Sequence, residues 1–271
     1  MPVPAPQFIT PRQLDGADLP VKPTDRFYPL VRPDGTVLLA PDETVLWRGK
    51  ANVSEYLYTD EFDDYDQLWE LPEPADLLIT NKRIAFLCER WTVGGGWRSH
   101  GTAPVTTALL NAASKMRAAA QRRGVVMVGH CRWEWPARIT VWPGAPAGRK
   151  QRAQAPSILL AAKAGPPNKG YNTLRFSGPA LASAAAVEAA GNAILRGLVS
   201  YRLSHASALG LDERELQRLS ELDRERPFTV AESRSSQGFG LPGLLFIGIM
   251  ACSEYECAPA DIQRILDKRE D

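Results

Sequence analysis

The feature that most constrains this 271-residue chain is Asp76-Leu77-Leu78-Ile79-Thr80, then Asn81-Lys82-Arg83, then Ile84-Ala85-Phe86-Leu87-Cys88. Two short apolar runs separated by a polar triplet predict a β-hairpin with both strands buried. Asn tolerates the left-handed backbone of a tight turn, and the basic stems beside it can cover apolar edge atoms. A buried hairpin needs further strands, and the chain offers them. Thr44–Val53 and Tyr56–Tyr58 precede it, while Val125–Val128, Arg138–Trp142, Ser157–Ala162 and Tyr171–Phe176 follow, all rich in β-branched or aromatic residues. Gly178-Pro179 then opens a long helix to about Ser204. Its inner stripe is Leu181, Ala184, Val187, Gly191, Ile194, Leu198 and Tyr201, and the small members let it lie close against a sheet. The expected class is α+β, mainly β, with one closing helix.

Three segments stand apart from this body. Residues 1–41 hold nine of the 22 prolines and read as an extended arm, disordered or laid over a surface. Inside the insertion 98–131, Pro104 opens an amphipathic helix over 103–123. Val105, Leu109, Ala112, Met116 and Ala119 share a face, Gly124 ends it, and Lys115, Arg122 and Arg123 lie off the stripe. Residues 207–271 form an extension. Asp212-Glu213-Arg214-Glu215 resembles a capping box opening a short helix through Leu222, and Pro259 begins a last helix. Between them Leu244-Leu245-Phe246-Ile247 is either an added strand packed on the sheet or a segment that meets a partner or membrane. The first is favoured because exposed apolar runs aggregate.

At Leu77-Leu78-Ile79-Thr80-Asn81-Lys82-Arg83-Ile84-Ala85-Phe86 the chain resembles the GRAM and bacterial pleckstrin-homology-like families, whose hairpin reads roughly leucine, x, leucine, threonine, asparagine, basic, arginine, apolar. Glu43 to Gly49 resembles their opening strand, Pro136-Ala137-Arg138-Ile139 a proline-led strand entry, and Leu174-Arg175-Phe176 with the 179–203 helix their final strand and closing helix. The likeness covers roughly 42–203, and places the domain at 42–206. It implies a bent, seven-stranded β-sandwich or partial barrel capped by the C-terminal helix. It also implies a binding module without catalytic machinery, serving membranes, lipids or protein partners. Two departures accompany it. The helical insertion is larger than usual, and only Arg48 and Lys50 stand where phosphoinositide-binding members carry several basic residues.

Charge gives the functional lead. The total is +1, yet residues 1–76 carry 6 basic and 15 acidic side chains, 77–210 carry 18 and 3, and 211–271 carry 8 and 13. A strongly basic body therefore sits between acidic flanks. Candidate anion contacts are Lys82 and Arg83 at the hairpin turn, Lys115, Arg117, Arg122 and Arg123 on the insert helix, and Arg149, Lys150 and Arg152 on a loop. Converging basic clusters hold anionic lipid at about 1 kcal/mol per residue. Nucleic acid is the rival ligand, since Trp97, Trp133, Trp135 and Trp142 lie near these residues and bases stack on exposed indoles. Against that, Trp133 and Trp135 two residues apart on one strand suit burial. The acidic flanks, including Asp60–Asp66, are a third partner if they lie across the basic body and mask it; screening over about 8 Å demands close contact.

Signatures of chemistry are sparse. No Gly-x-Ser-x-Gly, His-Glu-x-x-His or phosphate loop is present. Gly238-Phe239-Gly240-Leu241-Pro242-Gly243 spells a dinucleotide pattern in the wrong context, between a polar linker and an apolar run. His130, Cys131, Cys252 and Cys257 could be gathered round a metal, but adjacent His130 and Cys131 point to opposite faces of a strand, so buried thiols are expected instead. Residues 77–210 hold only Glu89, Glu134 and Glu188 as acids, too few for acid–base work there. The expectation is a non-enzymatic protein with no cofactor and no metal. Met1–Pro6 lacks the features of a signal peptide, and the longest apolar run, Leu241–Cys252, is too short to span a bilayer. Free cysteines suit a reduced cytoplasm, with the protein there or peripheral at the membrane.

Overall fold

The computed structural model describes residues 8–13, 29–59, 65–71, 73–88, 125–144, 153, 155–163, 170–224, 227 and 245–248. Among the described residues twelve strands run in chain order: β1 (Ile9–Gln13), β2 (Leu30–Val31), β3 (Val37–Leu38), β4 (Val45–Thr59), β5 (Tyr65–Glu70), β6 (Ala75–Thr80), β7 (Arg83–Cys88), β8 (Val125–Arg132), β9 (Pro136–Trp142), β10 (Ser157–Lys163), β11 (Gly170–Ser177) and β12 (Leu245–Gly248). A 3₁₀ turn at Pro179–Leu181 precedes α1 (Ala184–Ser204); after a helical turn at Ala206–Leu209 comes α2 (Glu213–Arg224).

The order β1-β8-β7-β6-β4-β11-β10-β9-β12 forms one open antiparallel path, with β5 also paired to β4. β4 joins its two halves. Residues from Val45 to Ala51 pair with β6, and Asn52 to Thr59 pair with β11. The two textures expected around Thr44–Tyr58 are thus one 15-residue strand that passes between sheets. Alternation then decides the inside. Val53, Leu174, Phe176, Ile158, Leu160, Ile139 and Val141 from one half meet Leu77, Ile79, Ile84 and Phe86 from the other in a single core. Phe86 and Phe176 touch edge to face across it, with ring centroids 6.3 Å apart.

α1 closes the core with Val187, Ala190, Gly191, Ile194 and Leu198, capped by the Ser183 hydroxyl, which accepts from the Ala186 N–H at 3.2 Å. The stripe read from the sequence is correct at its centre, whereas Ala184 is exposed because the 3₁₀ turn delays the helix. At Gly197 the approach is closest. A Cβ there would lie 2.6 Å from the Thr80 carbonyl oxygen and 3.1 Å from the Trp133 ring. In most helices Gly→Ala stabilises by about 1 kcal/mol. Here overpacking against backbone costs about 1–3 kcal/mol, so Gly197→Ala is expected to lower the thermal midpoint; a raised midpoint would contradict this contact.

The flanks set apart by sequence belong partly to the body. β1, from the proline-rich arm, pairs with β8 from Ile9↔Gly129 to Gln13↔Val125, and Phe8 beside it is fully buried. From the extension, β12 pairs with β9, which makes the backbone of Leu245–Gly248 the added strand. α2 begins with the reciprocal capping box: Glu215 N–H donates to Asp212 Oδ1 and Asp212 N–H to Glu215 Oε2, both at 2.8 Å. Its Leu219 and Leu222 reach the common core. Outside the β6–β7–β8 half, Leu87, Val126 and Val128 are covered by Val31 and Val37 of the β2–β3 hairpin. No helix among the described residues is long and apolar enough to cross a membrane.

Candidate functional site

The hairpin motif is built around a carboxylate that the sequence reading had placed only in an opening strand. Glu43 is buried, and its two oxygens accept four hydrogen bonds. Oε1 takes Arg83 Nε and the Thr80 hydroxyl, each at 2.9 Å; Oε2 takes Arg83 Nη2 at 2.9 Å and the Ala40 N–H at 3.1 Å. The Thr80 hydroxyl also accepts from the backbone N–H groups of Lys82 and Arg83 at 3.1 and 3.0 Å. Asn81 completes the join: its Oδ1 accepts from Thr44 N–H at 2.8 Å, and its Nδ2 donates to the Asp42 carbonyl at 3.0 Å. Each residue of Thr80-Asn81-Lys82-Arg83 therefore fastens the hairpin turn to the entry of β4.

This bears directly on two candidate anion contacts. The Arg83 fork is bidentate on Glu43, the geometry in which a guanidinium is held most firmly. Lys82 Nζ lies 2.5 Å from Asp42 Oδ1, and that hydrogen bond holds the Asp42 carboxyl below its usual range. Both cations are thus matched to acids of the same chain, which favours the structural reading of the turn. Lys115, Arg117, Arg122, Arg123, Arg149, Lys150 and Arg152 lie outside the described residues, as do the 103–123 helix, Trp97, His100, Cys252, Cys257 and Asp60–Asp64.

A second polar cluster was missed by sequence reasoning. Arg202, near the end of α1, is buried; its Nε donates to the Trp133 carbonyl at 2.8 Å and its Nη2 to the Pro136 carbonyl at 2.7 Å. Trp133 and Trp135 sit in the β8–β9 turn rather than on one strand face, and only Trp133 is fully buried. The Trp133 indole donates to the Thr80 carbonyl at 3.1 Å, linking this turn to the hairpin. Beside them Glu134, also buried, accepts from Arg132 Nη2 at 2.6 Å and from the Tyr201 hydroxyl at 3.1 Å. Burial, followed by the nearby Glu134 charge, raises the Tyr201 phenol. The signal for Arg202 was available: it lies four residues beyond Leu198 on the buried stripe.

These polar groups do structural work with defined partners. Glu55, inward-facing on β4, accepts from the Trp69 indole. Cys131 is buried and burial pushes its thiol well up, so it is a protonated, inert sulfur. His130 faces the other way, its ring edge-on to Trp135 at 5.3 Å. No group of three or more metal-ligating side chains occurs among the described residues. No family model, curated protein or solved structure matches the chain.

Proposed function

We propose that the chain is a non-catalytic binding module of the pleckstrin-homology-like or GRAM kind. It meets an anionic membrane surface or a protein partner through basic residues of its 77–210 segment, with the acidic flanks masking that surface when no ligand is present. It works in the cytoplasm, at the membrane periphery when its ligand is lipid. The observation that carries this reading is the order β8-β7-β6-β4-β11-β10-β9. In chain order they form two antiparallel meanders, β4-β6-β7-β8 and β9-β10-β11, joined through the β4–β11 pair, and a helix follows β11. Seven such strands with a helix after the last support the likeness that the hairpin carries.

Lipid recognition is tested by sedimenting the full chain with phosphatidylcholine vesicles of increasing phosphatidylserine content. Bound protein is expected to rise with the anionic fraction and fall with salt. Reversing Arg122, Arg123, Arg149 and Lys150 to Glu should lower partitioning at least about tenfold, given about 1 kcal/mol per basic residue. Sedimentation that ignores the anionic fraction in both proteins would remove lipid from the proposal.

A further inference from the structure

The outer face of the β4–β11–β10–β9 half carries a chemistry the hairpin motif does not explain. Register places Tyr58, Tyr171 and Lys163 side by side across three strands, and Tyr56, Thr173, Ala161 and Arg138 in the next row. Two further rows bring Arg175 and then Trp142 to the same face, while the alternate residues Leu174, Leu160 and Ile139 enter the core. Tyr56, Tyr58, Tyr171 and Trp142 are all half-buried there. The Arg138 guanidinium lies 5.7 Å from the Tyr171 ring centre, a cation–π distance. Arg175 makes no ion pair with any described residue. At the centre Thr173 is 1% exposed, and its hydroxyl has no hydrogen-bond partner. Buried hydroxyls ordinarily find one.

We propose that this face binds single-stranded nucleic acid. Four aromatic residues interleaved with three cations supply stacking surfaces and phosphate contacts together, which is the combination single strands require. An acidic peptide has charge to offer the cations but few flat π systems for the rings, and a bilayer contact would call for more aliphatic surface than Leu159 and the buried Ala161 provide. From the Tyr58 row to the Trp142 row spans six residues, about 20 Å along the strands. That accommodates about six nucleotides at the 3.4 Å stacked repeat. The residues invoked here are different from those of the basic clusters at 115–123 and 149–152 that the vesicle experiment reverses, so the two tests read different substitutions.

The test is fluorescence anisotropy of the full chain with a labelled oligothymidylate of about 12 nucleotides, longer than the face. Saturable binding that weakens steeply with salt is expected. Tyr171→Ala and Arg175→Glu should each weaken it at least about fivefold, Tyr171→Phe should retain it, and vesicle sedimentation should be unchanged. Circular dichroism confirms that each variant is folded, and the exposed Lys163→Glu provides a substitution that spares the half-buried rings. Three results would overturn the proposal: no saturable binding, binding indifferent to all these substitutions, or polyglutamate bound as tightly as the oligonucleotide.

Discussion

Glu43→Ala is expected to destabilise the folded chain by about 3–5 kcal/mol, the usual consequence of removing one partner from a buried ion pair. The substitution takes the acceptor from the Arg83 fork and the Ala40 N–H at once, and leaves the Thr80 hydroxyl only the Arg83 carbonyl. Globular domains hold about 5–15 kcal/mol in total, so the loss is a large share of what keeps this one folded. Urea denaturation followed by tryptophan fluorescence measures it. The neighbouring pair is the internal control. Lys82→Ala removes a contact to Asp42, whose side chain is 75% exposed, and solvent-exposed pairs contribute about 0–1 kcal/mol. If Glu43→Ala costs no more than Lys82→Ala, the motif does not clamp the β4 entry.

Arg202→Ala is the second large effect. It deletes two charge-assisted hydrogen bonds at about 1.5–3 kcal/mol each, and leaves the Trp133 and Pro136 carbonyls buried without those donors. A loss of about 3–6 kcal/mol follows. Arg202→Lys should fall between Ala and wild type, because an ammonium cannot reproduce a planar fork aimed at two carbonyls. The same denaturation experiment decides it, and near-ultraviolet circular dichroism should report the loosened Trp133. A cost below about 1 kcal/mol for Arg202→Ala, typical of surface sites, would show that α1 is held by apolar packing alone.

The hairpin, the run of strand segments after it and the capping box at Asp212 were legible because each is written in neighbouring residues. Alternation at 76–88 and the Asp-x-x-Glu spacing need no distant partner to be read. The β1–β8 pairing is different. Ile9–Gln13 contains Pro11 and lies in a proline-rich arm, so local propensity speaks against a strand, and only the backbone of β8 makes it one. β5 was hidden similarly: Tyr65–Glu70 overlaps the end of the acidic Asp60–Asp66 stretch, yet Trp69 anchors it inward through Glu55. For the site, composition located the basic excess but could not tell cations with internal partners from cations facing outward. Arg83, a candidate anion contact at the hairpin turn, and Arg202, which the sequence did not single out, are both committed to holding the fold. The outer aromatic face was illegible for a geometric reason. Its residues come from four strands, and only register brings Tyr58 beside Tyr171.

The short strands at the two ends of the sheet have a consequence for solubility. An exposed edge offers unpaired N–H and C=O groups to any passing strand, and proteins blunt such edges with short, interrupted ones. β8 and β9 are eight and seven residues long, whereas the strands laid outside them, β1 and β12, have five and four. Pro11 leaves β1 one donor short, and β12 ends at a glycine. Each long edge is thereby covered by a poorer template for further pairing, so the segments that look most dispensable in the sequence guard the sheet against self-association.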